Sequence, residues 1–202
     1  MLKKFSNNLK SFFLKLKEIN NITKRKPRFI FYSENKSYLK YGYSIIEYLS
    51  KKFPGEVYYI SSDVNDKVSD LNVINVYIGQ GFLLQYFFKS IETSNLFMTL
   101  TDLNNTVKRN NFVKNYIYYF HAAVSTTKNY TATAFDNYDI ILCNGDYQVK
   151  EIRQREKLVN LKEKKLIKSG YFYFDYLQRK INYKIIPDEI LIAPSWNYNQ
   201  KN

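Results

Sequence analysis

The chain of 202 residues contains one cysteine and one histidine. A lone cysteine excludes an internal disulfide, and one cysteine with one histidine cannot supply the usual ligands of a structural zinc, so no structural metal is expected. Cys143 ends the apolar run Ile140 to Cys143, where it reads as a small core residue rather than a nucleophile. Long hydrophobic runs are also missing. A membrane-spanning helix needs ~20 apolar residues, and the stretch from Val76 to Phe88 is short and broken by Gln80 and Gln85. Charges interrupt the apolar positions near the start, so a secretory signal peptide is not expected there. Glycine-rich phosphate cradles are absent: Gly79-Gln80-Gly81 is only a fragment of the dinucleotide pattern, and no Walker-type lysine follows a glycine loop. Ser125 lacks the flanking glycines of a nucleophile elbow, which argues against a hydrolase triad.

Acidic residues are the other shortage, 18 Asp and Glu against 31 Lys and Arg, for a formal net charge of +13. The excess is concentrated at the start. Residues 1–28 carry nine basic residues (Lys3, Lys4, Lys10, Lys15, Lys17, Lys24, Arg25, Lys26, Arg28) against the single acid Glu18, a local net of +8. Within this segment Leu2, Phe5, Leu9, Phe12, Phe13, Leu16 and Ile19 recur at spacings of three and four, which gives a helix one apolar and one lysine-rich face. Two readings are open: a basic amphipathic helix over 1–26 lying on an anionic membrane surface, or a helix docked on its own domain with a solvated basic face.

Aromatics are abundant, with 20 Tyr and 15 Phe, and many fall in strand-like runs where large rings pack well on a pleated surface. Interleaved Tyr and Lys could stack and neutralise single-stranded nucleic acid, but no nucleic-acid-binding signature accompanies them, so no specific nucleic-acid partner is expected.

Apolar strands alternating with helices point to an α/β fold with a parallel sheet covered on both faces. Expected strands run over 28–33, 57–60, 73–78, 96–100, 116–120 and 139–143. Expected helices run over 38–53, 82–91 and 146–159, the last with Asp146 as its N-cap after Gly145. His121 ends the fifth strand, where open parallel sheets bind ligands beyond their carboxyl ends. Ser125, Thr126 and Thr127 are expected to begin a helix-like segment whose hydroxyls and amides could meet a phosphate. The plain alternative for His121 is a hydrogen-bonded structural residue.

Four stretches in order, YYFHAAVST (118–126), AFDNYDIILCNGDYQVKEI (134–152), KKLIKSGYFYFDYL (164–177) and ILIAPSWN (190–197), make the chain resemble the CDP-glycerol glycerophosphotransferase family. Its members build teichoic acid and related polyol-phosphate polymers. The resemblance implies the N-terminal, Rossmann-like, acceptor-side domain of a GT-B fold over 27–182, with 183–202 as linker and first strand of a nucleotide-binding domain. It implies transfer of glycerol phosphate or a related polyol phosphate from a CDP-polyol, the donor substrate, to a lipid-linked or polymer acceptor. No tightly bound cofactor is implied, and the location would be peripheral, on the cytoplasmic face of the membrane. His121 matches the residue taken as the base that deprotonates the acceptor hydroxyl. Ala122, Ala123 and Val124 stand where the polymerases carry a Gly-Thr-Pro-like turn, which leaves the acceptor's identity open. Asn144, Gly145, Gly170, Tyr171 and Asp175 fall where the family pattern and the strand ends put the interdomain cleft, with capping and turn-making as their alternative roles. Competing functions are a GT-B glycosyltransferase using a nucleotide sugar and a non-catalytic basic binding module.

Overall fold

A computed structural model describes residues 2–180, with side chains from Lys10 onward. The expected strand over 190–193 and the linker over 183–202 lie outside the described residues. Twelve elements follow one another: α1 (Leu2–Arg25), β1 (Phe29–Ser33), α2 (Leu39–Lys52), β2 (Val57–Ser61), β3 (Ile74–Tyr77), α3 (Phe82–Ser90), β4 (Thr93–Met98), β5 (Val113–Tyr119), β6 (Ile140–Cys143), α4 (Asp146–Leu158), β7 (Lys165–Lys168) and α5 (Phe172–Lys180). The seven strands form one sheet in the order β3-β2-β1-β4-β5-β6-β7, every pairing parallel. This is a Rossmann-like α/β fold.

The strands are apolar on both faces because helices cover both. β1 and β2 are buried at all five positions. Ile30, Tyr32, Ile60, Leu96, Met98, Tyr116, Tyr118 and Ile141 pack on one side with Phe87 and Phe88 of α3 and Ile19 and Ile22 of α1. Phe31, Tyr59, Phe97, Ile117, Tyr119 and Leu142 pack on the other with Ile46 and Leu49 of α2. Across the central pair β1–β4, the Phe31 and Phe97 rings stack at 4.5 Å. Close approach of α2 to β5 requires glycine at position 42, since a Cβ there would lie 2.8 Å from the Tyr119 hydroxyl.

Over its described side chains α1 docks on the domain. Ile19 and Ile22 are buried and Phe12 and Leu16 pack against the same cluster, while the Tyr86 hydroxyl donates to Asn20 at 2.7 Å. The docked helix still leaves Phe13 and Leu14 in solvent, 59% and 66% exposed.

Three local expectations are corrected. The segment at Ser125 is a series of turns and not a helix: Glu151 of α4 takes the Ser125 hydroxyl and the Thr126 amide and hydroxyl, and the chain makes a single turn closed by the Asn129 amide on the Ser125 carbonyl. Gly145, in extended conformation, is the N-cap of α4, and Asp146 is the first helical residue, its carboxylate 3.1 Å from Lys168. The fourth strand is Thr93–Met98 rather than 96–100, since Thr93 begins the pairing with β5. The edge strand β7 and helix α5 complete the fold beyond the six strands and three helices expected after the N-terminal segment.

Candidate functional site

The chain crosses the sheet from its β3 edge, through α3, back to β4 beside β1. At that reversal the connections after β1 and β4 leave for opposite faces of the sheet, the usual ligand position in open α/β sheets. His121 lies at the carboxyl end of the next strand, β5. The Tyr38 ring stands perpendicular to the imidazole at 5.5 Å, and the rings of Tyr41 and Tyr130 each approach to 6.1 Å. The Tyr171 hydroxyl donates to the His121 carbonyl at 2.8 Å. This tyrosine cup removes water from much of the imidazole, and burial lowers its pKa from the ordinary 6.5 because the charged form loses solvation. Nδ1 is buried without a hydrogen-bond partner, whereas Nε2 has no partner among the described residues and is not closed off from solvent. The Tyr118 and Tyr130 hydroxyls lie close enough to affect one another's ionisation, yet their geometry makes no hydrogen bond.

The loop after His121 is held from below by β6 and α4. Asn144 Nδ2 donates to the Ala122 carbonyl at 3.1 Å. Gln148, fully buried, donates to the Val124 carbonyl at 3.0 Å and accepts from the Asn144 amide at 2.7 Å. Glu151 then takes the Ser125 hydroxyl at 2.8 Å and both the amide and the hydroxyl of Thr126 at 2.6 Å. Burial pushes the Glu151 carboxyl up, but these donors outweigh it and hold its pKa below the ordinary 4.5.

The structure therefore sorts the residues singled out by sequence. His121, Asn144 and Tyr171 come together. Ser125 and Thr126 follow in the same loop, but their donors are spent on Glu151 rather than aimed at a phosphate. Gly145 caps α4, and its extended backbone makes no demand for glycine. Gly170, at φ +76°, makes the left-handed turn that carries the chain from β7 to Tyr171. Asp175 lies in the first turn of α5, exposed, with no ion pair or hydrogen bond to the site among the described residues. Sequence reasoning did not find the cup residues Tyr38, Tyr41 and Tyr130, nor the clamps Gln148 and Glu151. The clamps do carry a signal, being polar at a spacing of three on the helix that follows the His121 loop.

Two cavities lie elsewhere. One of about 400 Å³ sits between α4 and the loop, lined by Phe135, Ile152, Leu158, Asp136 and Arg155. Another of about 640 Å³ sits by Arg109, Asp139 and Lys165 at the amino ends of β6 and β7. Their central charges are internally paired, Arg155 with Asp136 at 2.7 Å and Arg109 with Asp139 at 3.0 Å, so they offer less free chemistry than the sheet edge at His121. Among the described residues no group of three His, Cys, Asp or Glu could hold a metal, and no helix is long and apolar enough to cross a membrane.

Removing the loop clamp has a measurable cost. Glu151→Gln should lower stability at neutral pH by about 1–2 kcal/mol, the usual range for lost hydrogen bonds to a charged group. Because the folded carboxyl has the lower pKa, its contribution is present above the unfolded value of 4.5 and disappears as pH falls through the folded value. Wild-type and Glu151→Gln melting curves should therefore converge at acid pH. A gap that does not shrink at all as pH falls below 4.5 would show that the carboxylate charge is not the source of the difference.

Comparison with family models, curated proteins and solved structures finds no match to this chain.

Proposed function

We propose that this domain carries the acceptor side of a transferase that moves glycerol phosphate, or a related polyol phosphate, from a CDP-polyol to a membrane-associated acceptor, with His121 as general base. The observation that carries the reading is a partly buried imidazole just beyond the carboxyl end of β5, its neutral form favoured by burial and its Nε2 without a partner among the described residues. A general base works best with a pKa near the working pH. In the proposed step, Nε2 takes the proton of the acceptor hydroxyl as that oxygen attacks the β-phosphorus of the donor. The P–O bond to CMP breaks, and CMP leaves with the bonding electron pair. Phosphoryl transfer of this kind depends on in-line placement and charge neutralisation more than on covalent help from the protein. The cup of Tyr38, Tyr41 and Tyr130 fixes the imidazole, and the Asn144–Gln148–Glu151 clamp fixes the loop behind it. The resemblance of the stretches around His121, Asn144 and Tyr171 to the glycerophosphotransferase pattern supports the choice of reaction.

The test is CMP release from CDP-glycerol with a membrane acceptor fraction, using the chain alone and fused to a family member's nucleotide-binding domain. Release that depends on His121 supports the reading, and absence of release from both forms removes it.

A peripheral membrane position is part of the same proposal. Since α1 packs Phe12, Leu16, Ile19 and Ile22 against the domain, the apolar surface it leaves for lipid among the described side chains is the exposed pair Phe13 and Leu14 flanked by Lys10 and Lys17. Each lysine near an anionic surface contributes ~1 kcal/mol, so Lys10→Gln with Lys17→Gln should weaken binding to phosphatidylglycerol vesicles roughly 30-fold. Equal cosedimentation with neutral vesicles, or unchanged binding by the double variant, would count against the electrostatic contact.

A further inference from the structure

The cavity of about 400 Å³ beside α4 holds one charge that the ion pairs around it leave over. Buried Phe135 and Ile152, with exposed Ala132 and Leu158, give it an apolar wall. Glu156 and Lys164, only 3% and 7% exposed, line the same cavity. Charges buried this deeply need both an opposite charge and hydrogen bonds, because water is no longer there to solvate them.

Glu156 meets that demand. Its Oε2 accepts from the Arg153 guanidinium, and its Oε1 accepts from the Lys164 backbone amide at 2.9 Å. Lys164 does not. Its ammonium lies 3.7 Å from the same Oε1, within Coulombic reach but too far for a hydrogen bond, and it donates to no other group among the described residues. One carboxylate thus faces two cations. The remaining acids nearby do not take up the excess: Asp136 is held by the Arg155 guanidinium at 2.7 Å, and Glu151 is occupied by Ser125 and Thr126. Glu163 stands in solvent, 80% exposed and 4.0 Å from Arg153, where water screens it. The contact with Glu156 also assigns the ammonium to this cavity, since Glu156 lines it and does not line the hollow by Arg109.

We propose that this cavity is a binding site for a small monocarboxylate with an apolar body, its carboxylate on the Lys164 ammonium and its aromatic or aliphatic part against Phe135, Ile152 and Leu158. An apolar pocket with a few convergent polar groups is the usual form of a small-molecule site, and a volume of this order suits one. A single negative charge balances the excess on Lys164, whereas a phosphate dianion would bring a second charge up against Asp136, Glu151 and Glu156. A neutral apolar molecule would fill the space and leave the ammonium without an acceptor. The site does not depend on the reaction assigned to His121.

The probes are naphthoate, its neutral analogue naphthamide and the dianion naphthyl phosphate, titrated into the full chain. Wild type should bind naphthoate about ten-fold more tightly than either of the others, the contribution of one hydrogen bond to a charged group. Lys164→Met removes the charge at similar length and should bring naphthoate level with naphthamide, while Lys164→Arg should keep the preference. Ala132→Trp fills the cavity from the loop. Ala132 is exposed in a turn that Thr131 and Thr133 anchor on Asp102, so this variant should melt like wild type and bind none of the three. Equal binding of naphthoate and naphthamide by wild type, or naphthoate binding unchanged in Lys164→Met and Ala132→Trp, overturns the site. Tighter binding of the phosphate overturns the carboxylate assignment, and no binding of naphthoate at millimolar concentration removes the proposal.

Discussion

In the active transferase, His121→Ala should lower turnover by ~10² to 10⁴, the usual contribution of a positioned general base, with donor affinity nearly unchanged. The imidazole packs at the edge of the fold against Tyr38, Tyr41 and Tyr130, and its Nδ1 makes no hydrogen bond. Truncating it therefore removes no hydrogen bond from the domain, and the melting temperature should move by no more than a few degrees. The pH profile supplies a second readout. His121 must be unprotonated to act, and burial lowers its pKa from 6.5, so the acid limb of turnover should fall below that value and vanish in the variant. A folded His121→Ala protein with near-normal turnover would remove the assignment, and a large fall in stability matched by loss of activity would make His121 a structural residue.

The largest effect on stability should come from Phe31→Ala. Phe31 is fully buried on β1, beside the central strand β4, stacked on Phe97 at 4.5 Å and edge-on to Tyr119 at 6.4 Å. Deleting a buried aromatic costs ~3–5 kcal/mol through lost transfer free energy and the cavity left behind, out of a total of ~5–15 kcal/mol for a typical domain. For a chain of this size that corresponds to a fall of roughly 6–20 °C in the melting temperature. Phe31→Leu, which keeps most of the volume, should cost distinctly less. A change under ~2 °C for the alanine variant would mean that α2 and the sheet close over the gap, contrary to the tight packing seen at Gly42 and Tyr119.

Much of the fold could be read from the chain because β1, β2 and the second half of β5, Tyr116 to Tyr119, are aromatic and β-branched runs, the pattern of strands buried on both faces. Punctuation by Pro54-Gly55 and by Gly79 and Gly81 marked the intervening ends. β7 escaped because Lys165–Lys168 is an edge strand, largely exposed, with two lysines among its four residues, so it lacks the apolar signal of its neighbours. The Ser125 segment was misread for a different reason: Ser and Thr commonly begin helices, but here a carboxylate 25 residues further on takes the same donors. At the site, His121 was legible as the sole imidazole after an apolar run. Its cup was not, since Tyr38 and Tyr41 look like any two of 20 tyrosines until the sheet brings α2 over the end of β5.

The hydrogen bond from Tyr171 to the His121 carbonyl spans 50 residues and ties the end of β5 to the turn leading into α5. A nascent chain can pair its inner strands and bury Phe31 before residue 171 emerges, yet it cannot set the backbone of the imidazole until β6, α4 and β7 are in place. During synthesis the acquisition of the site is thereby separated in time from the acquisition of the core.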